Sequence, residues 1–126
     1  MTALVFGAHY ELQNFIHPFV VEKLSLFKQY PSQEEINFAE VPLLFEADFE
    51  QYFDFCVTTF CREKTRLERA KSRAGFILKN YNKIAEIQLS QKIKMEKADF
   101  IINTDVNQVD LDKQIFQLIK ELKCIN

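Results

Sequence analysis

Three short apolar runs separated by helical stretches restrict the fold of this chain most: Ile36–Val41, Phe53–Phe60 and Phe100–Ile102. In the first, Ile36 and Phe38 alternate with Asn37 and Ala39, the two-residue rhythm of a strand. The second, Phe-Asp-Phe-Cys-Val-Thr-Thr-Phe, is dense in the β-branched and aromatic residues that suit a pleated surface. The third reads as a short buried strand. Arg62–Ala74 is expected to be helical, with Gly75 as its stop, and Lys79–Lys97 to be helix in two pieces. From about Gln108, Leu111, Ile115, Leu118, Ile119 and Leu122 mark one face of a last helix. Upstream, Tyr10–Ile16 carries Leu12, Phe15 and Ile16 at helical spacing. His17-Pro18 is expected to interrupt it, because proline disfavours the α conformation in the residue before it. A second helix then starts with Pro18 in its first turn, striped by Val20, Leu24 and Phe27, and Pro31-Ser32 marks a loop. Strands alternating with helices imply an α/β fold with a parallel sheet. At 126 residues, without internal repeats or a low-complexity linker, a single domain is expected.

Composition excludes several functions. Hydrophobic residues make up 48% and charged residues 27%, the balance of a globular chain rather than a disordered one. A formal charge of -2 gives no support to general nucleic-acid binding. No apolar run approaches the roughly 18 residues of a membrane span, and no basic start followed by an apolar stretch suggests a secretory signal. Cys56, Cys61 and Cys124 are odd in number and lack metal-ligand spacing, which fits reduced thiols of a cytoplasmic protein and no metal site. A phosphate-cradling loop needs two glycines flanking four residues, then Lys and Ser or Thr. The two glycines here, Gly7 and Gly75, are far apart and neither precedes a lysine. No glycine-rich nucleotide loop can be drawn.

Arg62, Arg66, Arg69 and Arg73 are spaced by 4, 3 and 4 residues, which places them on one narrow helix face. Like charges four apart cost about 0.2–0.5 kcal/mol per pair, and Glu63 and Glu68 lie off the stripe. Guanidinium forks without a built-in acid suit an anion such as phosphate, which they engage in bidentate fashion. A solvated face whose arginines pair with acids elsewhere fits the spacing equally well. His17 is either a substrate contact or a helix-break residue with one local hydrogen bond. Leu44 and Glu46 follow a strand whose carboxyl end is where open α/β sheets bind ligands. Leu44 there is either an apolar wall or plain packing. Glu46 is either a polar contact or a first-turn acid favoured by the helix dipole.

Val41-Pro42-Leu43-Leu44-Phe45-Glu46 at a strand end, Arg69 and Arg73 four apart, Gln88, Lys94, and Ala98-Asp99-Phe100-Ile101-Ile102 occur in that order. With His17-Pro18 upstream, this series resembles the C-terminal part of the dephospho-coenzyme A kinase family, from about Leu4-Val5-Phe6 to the last helix. Ser90 stands where the family often has proline, and Asn103-Thr104 where Asp-Asn is common. The resemblance implies part of a P-loop kinase three-layer fold: a parallel sheet, a helical substrate region (1–35), core strands (36–60), a helical lid (61–97), and a last strand with the C-terminal helix (98–126). It implies that the central first strand, the P-loop lysine and the general-base aspartate are missing from this chain, so no catalytic residue is expected within it. Arg69 and Arg73 fall at the family's lid arginines; Gln88 and Lys94 match its lid support; His17, Leu44 and Glu46 are substrate-side candidates. Arg62 and Arg66 have no counterpart and are expected to be structural. The implied activity is ATP- and Mg²⁺-dependent phosphorylation of the ribose 3′-hydroxyl of dephospho-CoA, with the isolated chain inactive. The competing readings are a non-catalytic nucleotide- or protein-binding module of the same origin and an unrelated α/β scaffold without a ligand. With its sheet centre missing, such a chain would expose strand edges at Ile36–Val41 and Phe53–Phe60 and is expected to self-associate.

Overall fold

The computed structural model describes residues 9–29 and 36–125, with side chains before Ile16 left aside. Leu4-Val5-Phe6 and the Pro31-Ser32 loop lie outside the described residues, as do the side chains of Leu12 and Phe15. Contacts group the chain into two compact units, Met1–Asn37 and Phe38–Asn126.

The described residues of the first unit form the helix α1 (His9–Gln29), with Pro18 inside it. The expected break at His17-Pro18 does not occur. Proline deletes one backbone donor and crowds one carbonyl, and a helix of 21 residues retains the rest of its ladder. The stripe formed by Val20, Leu24 and Phe27 also continues the rhythm of the preceding turns, so one apolar face runs through the proline; Leu24 is buried on it. None of the described helices is long and apolar enough to cross a membrane.

The segment 36–41 forms no strand. Alternation offers a face, but a strand also needs a hydrogen-bonded neighbour, and Phe38 stays exposed. A run of turns follows over 42–48, with Leu43 (φ 58°) and Asp48 (φ 54°) both left-handed. Each such residue costs about 1 kcal/mol or more. The turns bury Phe45 and Phe49, each 5% exposed, and burial of about 2 kcal/mol per phenylalanine offsets the strain. The N–H of Phe49 donates to the carbonyl of Leu44 (2.9 Å) and leads into a short 3-10 helix, Phe49–Tyr52.

The expected second strand is confined to β1 (Val57–Phe60). Helix α2 (Glu63–Lys71) follows, then α3 (Leu78–Ile87), α4 (Gln91–Lys97), β2 (Phe100–Asn103) and α5 (Gln108–Ile125). α2 ends earlier than expected, and Gly75 serves the turn into α3, where its φ of +76° suits glycine. The two-piece helix, the last strand and the C-terminal helix match expectation, as does the α/β class with parallel pairing. Ser90 caps α4, its hydroxyl accepting from the Ile93 N–H. Its φ of -61° is one that proline would also adopt.

β1 and β2 pair in parallel, Val57 opposite Phe100 and Phe60 opposite Asn103. Side chains complete the ladder at its ends. At the start, Asp99 Oδ2 accepts from the Cys56 N–H at 2.7 Å. At the finish, the Gln91 amide accepts from the N–H of Cys61 (3.1 Å) and donates to its carbonyl (2.8 Å). Gln114 does the same for Asn103, both at 2.9 Å. Each glutamine bonds one residue's backbone N–H and carbonyl as a neighbouring strand would. α4 thereby docks on β1 and α5 on β2, with Cys56, Cys61, Ile102, Leu118 and Leu122 buried; Ile115, expected on the inner face of α5, is exposed. Parallel alternation turns the backbone of Val57 and Thr59 away from β2, and neither finds a hydrogen bond among the described residues.

Gln114→Leu keeps the volume and removes both bonds to Asn103. It should lower stability by about 1–3 kcal/mol, the cost of unpaired backbone groups. A drop in the urea midpoint with an unchanged m-value checks this.

Candidate functional site

Parallel pairing brings the carboxyl ends of β1 and β2 to one side of the sheet, and the arginine-bearing helix starts there. Arg62 is its N-cap residue, in extended conformation. Its backbone N–H and its guanidinium both donate to Asp105, in the loop after β2. Thr65 Oγ1 reaches the same carboxylate at 3.1 Å. Asp105 is held in turn by its own N–H, which donates to Asn103 Oδ1 (2.9 Å). Hydrogen bonds from the Arg62 side chain and backbone keep the Asp105 carboxyl well below the usual carboxylate range, overcoming its desolvation.

One turn further, Arg66 pairs with Glu63 and donates to the Tyr81 hydroxyl (3.2 Å). The expectation that Glu63 leaves the stripe unneutralised is therefore corrected. The two lie three apart, a spacing at which helical side chains meet. Arg62 and Arg66 are thus both engaged by acids of the fold.

Arg69 and Arg73 differ from them. Arg69 extends over the loop after β2, its guanidinium donating to Thr104 Oγ1 (3.0 Å) and to the Thr104 carbonyl (2.7 Å). Both acceptors are neutral, and among the described residues its charge meets no acid. Thr104 is itself fixed, its N–H donating to the Phe60 carbonyl at 2.8 Å. Arg73 lies just past α2, exposed, and its side chain makes no hydrogen bond or ion pair among the described residues. Among the described residues neither guanidinium has an acid partner, and Arg69 stands at the rim where both strands end.

A second group forms around Glu46, whose Oε1 accepts from Lys94 Nζ at 2.9 Å and from the Leu89 N–H at 3.0 Å. Its side chain is 11% exposed and that of Lys94 23%. Burial works to raise the Glu46 carboxyl, but the hydrogen bonds from Lys94 and from the backbone outweigh it and hold it below its ordinary value. Lys97 pairs with Glu50 at 3.5 Å and lies over the Phe45 ring. Two candidates from separate motifs, Glu46 and Lys94, therefore meet. Gln88 ends α3 half-buried, its N–H donating to the Ile84 carbonyl. Leu44 is half-buried in the turns, and His17 is half-buried on α1 in the other unit. Sequence reasoning missed Asp105, Thr65, Gln91 and Gln114. Only Asp105 left a trace, as an acid two residues beyond Asn103, the spacing of a side-chain-closed turn.

A helix that starts at the carboxyl ends of two parallel strands is an arrangement of α/β proteins, whose ligands bind at that end of the sheet. The sequence model of dephospho-CoA kinase matches residues 6–110, and the chain belongs to that family. It is 54% identical over 117 residues to the dephospho-CoA kinase of Rickettsia conorii and 55% identical to that of Rickettsia prowazekii. Each alignment covers 93% of this chain and 61% of the relative. The Bartonella quintana enzyme is 32% identical over 113 residues, covering 88% of this chain and 58% of its own. The chain thus spans about three fifths of the length of the relatives it matches.

The Glu46 carboxyl is depressed in the fold, so its stabilisation is complete above its ordinary value of 4.5 and is lost as pH falls through the lower folded value. Glu46→Gln should reduce stability at neutral pH and flatten the decline between about pH 5 and pH 3. Urea midpoints measured across that range check both effects.

Proposed function

We propose that this chain carries the arginine-bearing and substrate-side parts of a dephospho-CoA kinase, which transfers the γ-phosphoryl group of ATP to the ribose 3′-hydroxyl of dephospho-CoA. The observation supporting this most is the pair Arg69 and Arg73. Both are exposed and neither has an acid partner among the described residues; Arg69 stands where the strands end, and Arg73 follows it by four residues. Phosphoryl transfer depends on positioning and on offsetting the charge of the transferring group. Arg69 would exchange its two bonds to Thr104 for phosphate oxygens, a favourable trade because charge-assisted bonds are the stronger kind. Arg73 would add a second fork. Mg²⁺ bound with ATP would neutralise phosphate charge, held largely by the phosphates themselves and by water. Glu46, Lys94 and Gln88 would support the lid at the joint of α3 and α4; Leu44 and His17 are offered as substrate-side candidates. The free thiols Cys56, Cys61 and Cys124 suit the reducing cytoplasm.

Within a full-length kinase, Arg69→Ala or Arg73→Ala should lower kcat by about one to three orders of magnitude. Lysine replacements should rescue poorly, because the fork is lost. Arg62→Ala, which leaves the residue-62 backbone and Thr65 on Asp105, should fold less stably and lower kcat by less than either of those alanine variants. The 126-residue chain alone, without a glycine-lysine phosphate loop, should convert no dephospho-CoA in a coupled assay free of contaminating kinase. Unchanged kcat in both alanine variants, or clear turnover by the chain alone, would count against this reading.

The open edge of β1 supports a second reading, self-association. Val57 and Thr59 offer unpaired backbone groups, and a second copy could pair with them antiparallel across a two-fold axis. Sedimentation at micromolar concentration should show a concentration-dependent dimer that Thr59→Lys weakens. A monomer throughout the range would exclude it.

A further inference from the structure

We infer that Asp105 and Glu46 are positioning residues that fix the two legs of the α2–α3 hairpin and so set where Arg69 and Arg73 stand. The inference concerns residues that touch neither reacting group, and only its kinetic consequence rests on the proposed function.

The hairpin is not held by a core. Neither α2 nor α3 contains a buried residue, and neither packs broadly on the strands or on α5. Its internal contacts are local: the Glu63–Arg66–Tyr81 group, and the ring of Phe76 tilted against Tyr81 at 6.0 Å. An element without apolar anchorage keeps its place through directional polar links at its ends.

Each leg has such a link, and each converges on a mostly buried carboxylate. At the first, Asp105 is 12% exposed and receives the Arg62 backbone, the Arg62 guanidinium and Thr65 Oγ1. The Arg62 side chain itself is 76% exposed, so the fixed point is the acid and the helix start hangs from it. At the second, the backbone between α3 and α4 is extended at Gln88 and Ser90. Between those residues the Leu89 N–H is bound to Glu46. Beyond this joint α4 is immobilised twice, by Lys94 on the same carboxylate and by Gln91 on Cys61. The polar links tying α2–α3 to the sheet side therefore meet at Asp105 and Glu46, with Arg69 on Thr104 as a third that must open if its guanidinium is to reach an anion.

Hydrogen exchange on the 126-residue chain reads the anchoring directly, and kinetics of the same variants within a full-length kinase read its consequence. Asp105→Asn and Glu46→Gln should speed exchange of amides in 63–87 by about tenfold while leaving 100–103 and 111–122 unchanged. Thr65→Val, which leaves Asp105 charged, should produce a smaller change of the same pattern. The two acid variants should lower kcat by about tenfold or more, with KM for ATP shifting much less, since misplacement by about 1 Å is costly to catalysis. Exchange unchanged in the hairpin, or raised equally throughout, overturns the anchoring. Faster hairpin exchange with normal kcat overturns the positioning role, provided Arg69→Ala impairs the enzyme. If Arg69→Ala is itself silent, the phosphoryl-transfer reading fails while the anchoring stands.

Discussion

Parallel pairing of β1 with β2 is the constraint on which the rest of the second unit depends. Because both strands run the same way, both finish at one rim. The helix after β1 and the loop after β2 therefore face each other across a few ångströms. An antiparallel pair would have put Arg69 and Thr104 at opposite ends of the sheet. A two-stranded parallel ladder is weak by itself, and this one is completed by side chains. Asp99 closes its start, while Gln91 and Gln114 close its finish. Those glutamines belong to α4 and α5, so the same bonds that end the ladder dock the helices.

The arginine stripe is divided by what the rim offers. Arg62 meets an acid across the loop, Arg66 meets one within its own helix, Arg69 meets only neutral oxygens, and Arg73 extends beyond the helix end. Four residues equivalent by spacing become two fixtures of the fold and two available charges. The cost of clustering like charges is relieved at the first two positions and retained at the last two, where a phosphate would relieve it.

The Pro-Leu-Leu-Phe-Glu segment acts as a support. Its left-handed turns bury Phe45 and Phe49 and aim Glu46 at Leu89 and Lys94. The motif around residue 45 and the lysine at 94 are thus two sides of one contact, and it lies at the joint between α3 and α4.

The sequence by itself determined the α/β class, the helices from Glu63 onward, the last strand and the family. Those follow from periodicity, capping and motif order, which are local. It misjudged the segment 36–41, where alternation is satisfied but pairing is not, and Pro18, where a long helix absorbs a local penalty. Only the tertiary structure decided that Glu46 meets Lys94, that Asp105 holds the start of α2, and that two glutamines complete the strands. Each of these joins residues distant in sequence through one polar side chain. Such bonds depend on where backbone groups are left unpaired once the chain has folded, and no local pattern of residues encodes that.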